Sequence, residues 1–254
     1  MNFLCRLLLI VCACVLLPVS AELADTVEKV KPSVVGVGVY TPTGHPKNVL
    51  KGSGFVIGNG RYVVTNHHVV PDTLDIKLLQ EMAVFVGSGK TATVRKASLI
   101  ASSQRHDLAL LKIEGTPLPA LPLAEEKYIR EGESIAFTGF PIGAVLGLYP
   151  VTHRGIIAAI TPTITPVDDV RQLSISMLKK LRDPFMVYQL DATAYPGNSG
   201  SAMYHASTGE VVGIINKVFV QESKEAVISK PSGITYAIPV KYLHQLLKAN
   251  NITL

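Results

Sequence analysis

"DATAYPGNSGSAM", Asp191 to Met203, is the stretch on which the reading of this chain turns. Gly197, Gly200, Pro196 and Asn198 crowd around one hydroxyl, that of Ser199. Taken alone, the segment fits two descriptions equally well. It is either a turn between strands, which is what Gly and Pro beside Ser mark in most proteins, or a bend that presents a nucleophile. The choice depends on whether a base, and a carboxylate to orient it, occur elsewhere.

Working outward, the flanks are β-rich. "GSGFVIGNGRYVVTNHHVV" is two apolar runs joined across Gly58-Asn59-Gly60, a hairpin signature. "VVGVGVY", "TATVRKASLIA", "DLALLKI", "ESIAFTGF", "RGIIAAI", "GEVVGIINKVFV" and "SGITYAIP" supply further strands, broken by Gly, Pro and Asn. Many short strands with little helix point to an all-β sandwich or barrel pair. Two longer stretches break the pattern. Asp168 to Arg182 sets Val170, Leu173, Met177, Leu178 and Leu181 on one helical face, and "PVKYLHQLLKAN" predicts a C-terminal helix over about 240–249. No further folded module is expected after the last strand.

Composition narrows the class. With 254 residues, 48% hydrophobic and 17% charged, the chain can bury a sizeable core. Its net charge of +5 is scattered rather than gathered into a basic run, which argues against a nucleic-acid partner. Residues 1–21 carry Arg6, the apolar run "LLLIVCACVLL" and the small residues Val19 and Ala21, the pattern of a signal peptide cleaved after Ala21. Cys5, Cys12 and Cys14 all lie there, so the mature chain is expected to fold without a disulfide. "VCAC" faintly matches a lipoprotein attachment site at Cys14, but Cys12 and the short apolar run fit it poorly.

Two stretches bear on the opening question. "TNHHVV" puts histidines at the end of an apolar strand, and "RHDLALLKI" puts Asp107 at the head of another. The order is His, Asp, Ser, at separations that only folding can close. In this order, "GSGFVI", "VVTNHHVV", "HDLALLKI", "GESIAFTGFPIG", "RGIIAAI", "DATAYPGNSGS", "VVGIINK" and "GITYAIP" resemble the chymotrypsin-fold serine proteases of the HtrA/Deg type, from about residue 24 to 248.

That resemblance implies two perpendicular six-stranded β-barrels, the first over about 33–125 and the second over about 126–240, with a C-terminal helix. It implies a Ser199 nucleophile, His68 as base and Asp107 to hold the imidazole tautomer. His67 is the other candidate base, but the family pattern T-N-x-H-V puts the catalytic histidine second. The N–H groups of Gly197 and Ser199 would receive the oxyanion. Thr193, Asn216 and Val218, with Lys217, would line a specificity pocket that has no acid to balance Lys or Arg. His106, His153, His205 and His244 match no catalytic position and are expected at the surface or in packing.

The implied function is exported hydrolysis of flexible polypeptides, in the periplasm or beyond, with no metal or other cofactor. The rival is a weakly hydrolytic, chaperone-like module that binds unfolded protein. Oligomeric state is not legible. Two departures from the family are visible: Ser201 stands in place of a second glycine, and residues 168–182 look inserted; a counterpart of the frequent PDZ module is not expected. Asn198 replaces the aspartate that pairs with a new N-terminus in many secreted relatives. Signal removal is therefore the only processing expected, with Asn198 holding the loop through neutral hydrogen bonds.

Overall fold

The structure, a computed structural model, describes residues 23–89, 92–141, 147–163, 184–216 and 234–254. The leader segment, the amphipathic stretch Asp168 to Arg182, Lys217 and Val218 lie outside the described residues.

Helix α1 (Leu23–Val30) and a single turn containing Pro32 lead into β1 (Val34–Tyr40). Then follow β2 (Asn48–Ile57), β3 (Tyr62–Thr65), β4 (Glu81–Val86), β5 (Thr93–Ser103) and β6 (Leu108–Ile113). They close into an antiparallel barrel in the order β1-β2-β3-β6-β5-β4. A second set comprises β7 (Ser134–Gly139), β8 (Val151–Pro162), β9 (Met186–Asp191), β10 (Ala202–His205), β11 (Val211–Ile215) and β12 (Ile234–Pro239). It closes in the order β7-β8-β9-β12-β11-β10, the same path repeated. Closure leaves neither sheet with a free edge. The double barrel expected from the sequence is the fold observed. The β2–β3 hairpin pairs Phe55 with Val64 and Ile57 with Tyr62, and turns through Gly58 and Gly60, both at positive φ.

Alternation along the strands divides the apolar residues between two kinds of core. Val35, Val37, Val56, Val63, Val84 and Leu111 fill the first barrel. Ile135, Phe137, Ile157, Leu190 and Met203 fill the second. The opposite faces of the same strands meet between the barrels, where Phe55, Val64, Leu108 and Leu110 pack with Phe140, Tyr204, Ile214 and Ile238. Burying each such side chain contributes roughly 1.5–3 kcal/mol, so this seam holds the two barrels in a fixed relation.

Helix α2 (Val240–Ala249) closes the seam with Leu243, Leu246 and Leu247. Its Tyr242 ring stacks on His106 at 4.4 Å. The Tyr242 hydroxyl lies 3.1 Å from that of Tyr128 and accepts the Met186 N–H at 3.1 Å. The helix thus braces the turn immediately before Asp107.

Candidate active site

Strand β3 delivers the histidines. After Thr65 the chain stays extended at Asn66 and then makes one 3-10 turn, His67–Val69. This turn separates the two rings: His68 faces Asp107, while His67 Nδ1 is buried without a hydrogen-bond partner. Asp107 sits at φ +51°, a left-handed conformation that Asp tolerates better than most residues. The twist aims its carboxylate back at the turn. His68 Nδ1 lies 2.6 Å from Asp107 Oδ2, and the His68 backbone N–H donates to Oδ1 at 2.9 Å. Asn66 Nδ2 donates to the Asp107 carbonyl at 3.0 Å. An ionised carboxylate only accepts, so His68 carries its proton on Nδ1 and keeps the Nε2 lone pair free.

The Ser199 loop is built from the second barrel and pressed against the first. Fully buried Thr235 donates its hydroxyl to the Ala192 carbonyl at 2.7 Å and accepts the Ala194 N–H at 3.0 Å, holding the way in. Asn198 N–H donates to the Tyr195 carbonyl and Ser201 N–H to the Asn198 carbonyl, each at 3.0 Å, which tightens the turn. Gly200 N–H donates to the Ile215 carbonyl at 2.9 Å.

On the other side, Ser53 N–H donates to the Ser199 carbonyl at 2.8 Å. Gly200 is at φ +87°, and a Cβ there would overlap the Ser53 carbonyl oxygen and approach Thr65 Oγ1 to 2.5 Å. A Cβ on Gly52 would meet Val69 at 2.7 Å and the Ser199 carbonyl oxygen at 2.9 Å. The backbone of 199–200 therefore lies directly on β2, beside the strand and turn that carry His68. Glycine at 52 and 200 is what lets the two barrels approach so closely.

The structure thus brings the His68–Asp107 pair and the Ser199 loop to one seam. It forms no hydrogen bond between Ser199 Oγ and His68; in unliganded sites such bonds are often long. Neither the Gly197 nor the Ser199 N–H donates to a described residue. Thr193 is half-buried on the loop, and the Asn216 N–H donates to the Tyr236 carbonyl at 2.9 Å. The other residue expected in the pocket, Val218, is outside the described residues.

Asn198 fits the neutral-loop expectation only in part. Its Nδ2 is 3.5 Å from His153 Nε2, while its Oδ1 is buried with no donor. His153, expected at the surface or in packing, stacks on Phe137 at 4.9 Å and lies beside the Ser199 loop. Burial lowers its pKa from the ordinary histidine value, which favours the neutral ring. Sequence reasoning did not single out Ser53, Thr65, Asn66 or Thr235, all buried polar residues that hold this site. For Ser53, Thr65 and Thr235 the available signal was a hydroxyl inside an otherwise apolar strand, which when buried must find a partner.

The trypsin-like peptidase domain model matches residues 52–214, from Gly52 in β2 to Ile214 in β11. This chain belongs to that family. A "probable periplasmic serine endoprotease DegP-like" of Pseudomonas fluorescens is 32% identical over 189 residues, which is 74% of this chain and 32% of that protein. One of the same name from Halomonas elongata is 30% identical over 190 residues, with the same coverage. The chain therefore spans about a third of the length of these curated relatives. Among solved structures, a Yersinia pestis serine endoprotease superposes with TM-score 0.62 at 25% identity, covering 91% of this chain and 67% of its own. The HtrA-type protease AlgW with a tripeptide gives 0.63 at 27%, covering 90% and 63%. These matches place the chain with HtrA/Deg-type serine proteases of the chymotrypsin fold.

Proposed function

We propose that this chain is an exported serine endopeptidase that hydrolyses peptide bonds in unfolded or flexible proteins. The observation that carries the reading is the Asp107 carboxylate held on both the ring and the backbone N–H of His68, which leaves Nε2 as a base. Ser199 Oγ attacks the peptide carbonyl while His68 Nε2 takes its proton. The resulting oxyanion is received by the Gly197 and Ser199 N–H groups. As the C–N bond breaks, His68 returns the proton to the leaving amine, and an acyl-Ser199 ester remains. Water, deprotonated by His68, then attacks the ester, and as the C–O bond breaks His68 returns the proton to Ser199 Oγ and the carboxylic acid leaves. Asp107 offsets the imidazolium charge in both halves of the cycle.

Thr193, Asn216 and Val218 form the pocket for the side chain before the scissile bond. With no acid among them, a buried Lys or Arg finds no counter-charge, and small or medium apolar residues are preferred. The periplasmic names of the relatives and the leader pattern of residues 1–21 support export.

Cleavage of a random peptide library by protein starting at Glu22, with Ser199→Ala beside it, tests the proposal. Cuts after Val or Ala that vanish in the variant are expected. Dominant cleavage after Arg would overturn the pocket assignment, and equal cleavage by the variant would overturn the peptidase reading.

A further inference from the structure

Ser53 belongs to β2 of the first barrel, yet its hydroxyl bonds only to the second. Ser53 Oγ donates to the Gly197 carbonyl at 2.7 Å and accepts the Phe140 N–H at 2.9 Å. The residue is fully buried. A hydroxyl has one proton, and Phe140 N–H can only donate, so that proton is committed to Gly197. The backbone N–H of the same residue holds the Ser199 carbonyl at 2.8 Å. One residue therefore grips the carbonyls two apart, on both sides of Asn198.

This grip bears on the oxyanion donors. The Ser199 N–H belongs to the peptide between the two gripped planes. The Gly197 N–H belongs to the peptide just before the first of them, joined to it through Gly197 at φ +100°. Glycine rotates there with little resistance, so nothing in its own chemistry fixes where that N–H points. Within the loop, the Asn198 N–H on the Tyr195 carbonyl holds one side of the Gly197–Asn198 peptide, and the Ser53 hydroxyl clamps its carbonyl from outside, which limits this freedom. The clamp also requires Gly139, whose Cβ would come within 2.7 Å of Ser53 Oγ and overlap Ser201 Oγ.

We propose that Ser53 is a positioning residue, which through its hydroxyl fixes the Gly197 carbonyl so that the two oxyanion N–H groups converge. It makes the oxyanion hole of the second barrel depend on the docking of the first. The inference rests on the peptidase reading above.

The test compares wild type, Ser53→Ala and Ser53→Cys, with Ser199→Ala as the blank. For each, kcat and KM are measured on one peptide substrate, with the inhibition constant of the matching peptide aldehyde, whose hemiacetal oxygen needs the hole. Removing a direct oxyanion donor costs about 10²–10³ in kcat, so loosening both donors should cost roughly 10- to 100-fold. The expected result for Ser53→Ala is that loss in kcat, KM within about twofold, and aldehyde inhibition weakened by the same factor. Ser53→Cys, with its weak S–H donor, should fall between. A loss confined to KM, or unchanged aldehyde inhibition, would overturn the proposal. If Ser53→Ala shows no cooperative melt, Ser53→Cys is judged by the same criteria. If wild type hydrolyses no faster than Ser199→Ala, the peptidase reading itself fails and this inference falls with it.

Discussion

Replacing Asp107 by Asn separates the electrostatics of the site from its geometry. Asn tolerates the left-handed backbone at position 107, where φ is +51°, so the turn is kept. The carboxylate now accepts two donors, the His68 backbone N–H at 2.9 Å and His68 Nδ1 at 2.6 Å. A carboxamide has only one acceptor. The backbone N–H cannot become an acceptor, so the amide oxygen stays with it and the NH₂ faces the ring. Nδ1 must then be the unprotonated nitrogen, and the proton moves to Nε2, where the base should be. Restoring the working tautomer sets two donors against each other and forfeits a charge-assisted bond of about 1.5–3 kcal/mol. The imidazolium formed during attack also loses its counter-charge. Together these come to roughly 4–5 kcal/mol, and at about 1.4 kcal/mol per decade kcat should drop three to four orders of magnitude. The assay is steady-state cleavage of a chromogenic peptide at neutral pH, with thermal melting to show an intact fold. A kcat within tenfold of wild type would refute the tautomer argument.

Other consequences follow from the packing. Gly200→Ala should cost roughly 2–5 kcal/mol, from a left-handed backbone and overlap with the Ser53 carbonyl, and should remove activity; urea unfolding measures the first. Near-wild-type stability there would mean the barrels are not in close contact at the loop. Burial pushes Tyr188 and Tyr242 up to about 12. A folded state that holds these protons more tightly than the unfolded chain, whose tyrosines titrate near 10, is stabilised in full below about pH 10. That contribution is lost as pH rises through about 12. Melting temperatures should therefore fall over this window, and fall less in Tyr188→Phe. Equal declines in the two proteins would contradict the assignment.

The double barrel was legible because most strands are short apolar runs punctuated by Gly, Pro and Asn. Strands β4, β9 and β10 were not singled out, for local reasons. Ahead of β4, "DIKLLQ" carries apolar residues that extend the pattern, though Ile76 is in fact 84% exposed. Strand β10 is four residues squeezed against the Ser199 loop, and β9 runs straight into it. The candidate site was legible where motif and chemistry coincide, at His68, Asp107 and Ser199. The framework that holds it was not. Ser53 reaches Gly197 across 144 positions and Thr235 reaches Ala192 across 43, and no local pattern records a partner so distant. His153 is a similar case, since its neighbour Asn198 comes close only after the second barrel closes.

The central claim is that Ser199 is a nucleophile activated by His68. It is tested most directly by treating the folded protein from Glu22 onward with a fluorophosphonate and mapping the adduct by peptide mass. The account predicts one adduct per chain, on Ser199, kept in His67→Ala and absent in His68→Ala. Labelling at another residue, or labelling of Ser199 that survives loss of His68 but not of His67, would contradict it.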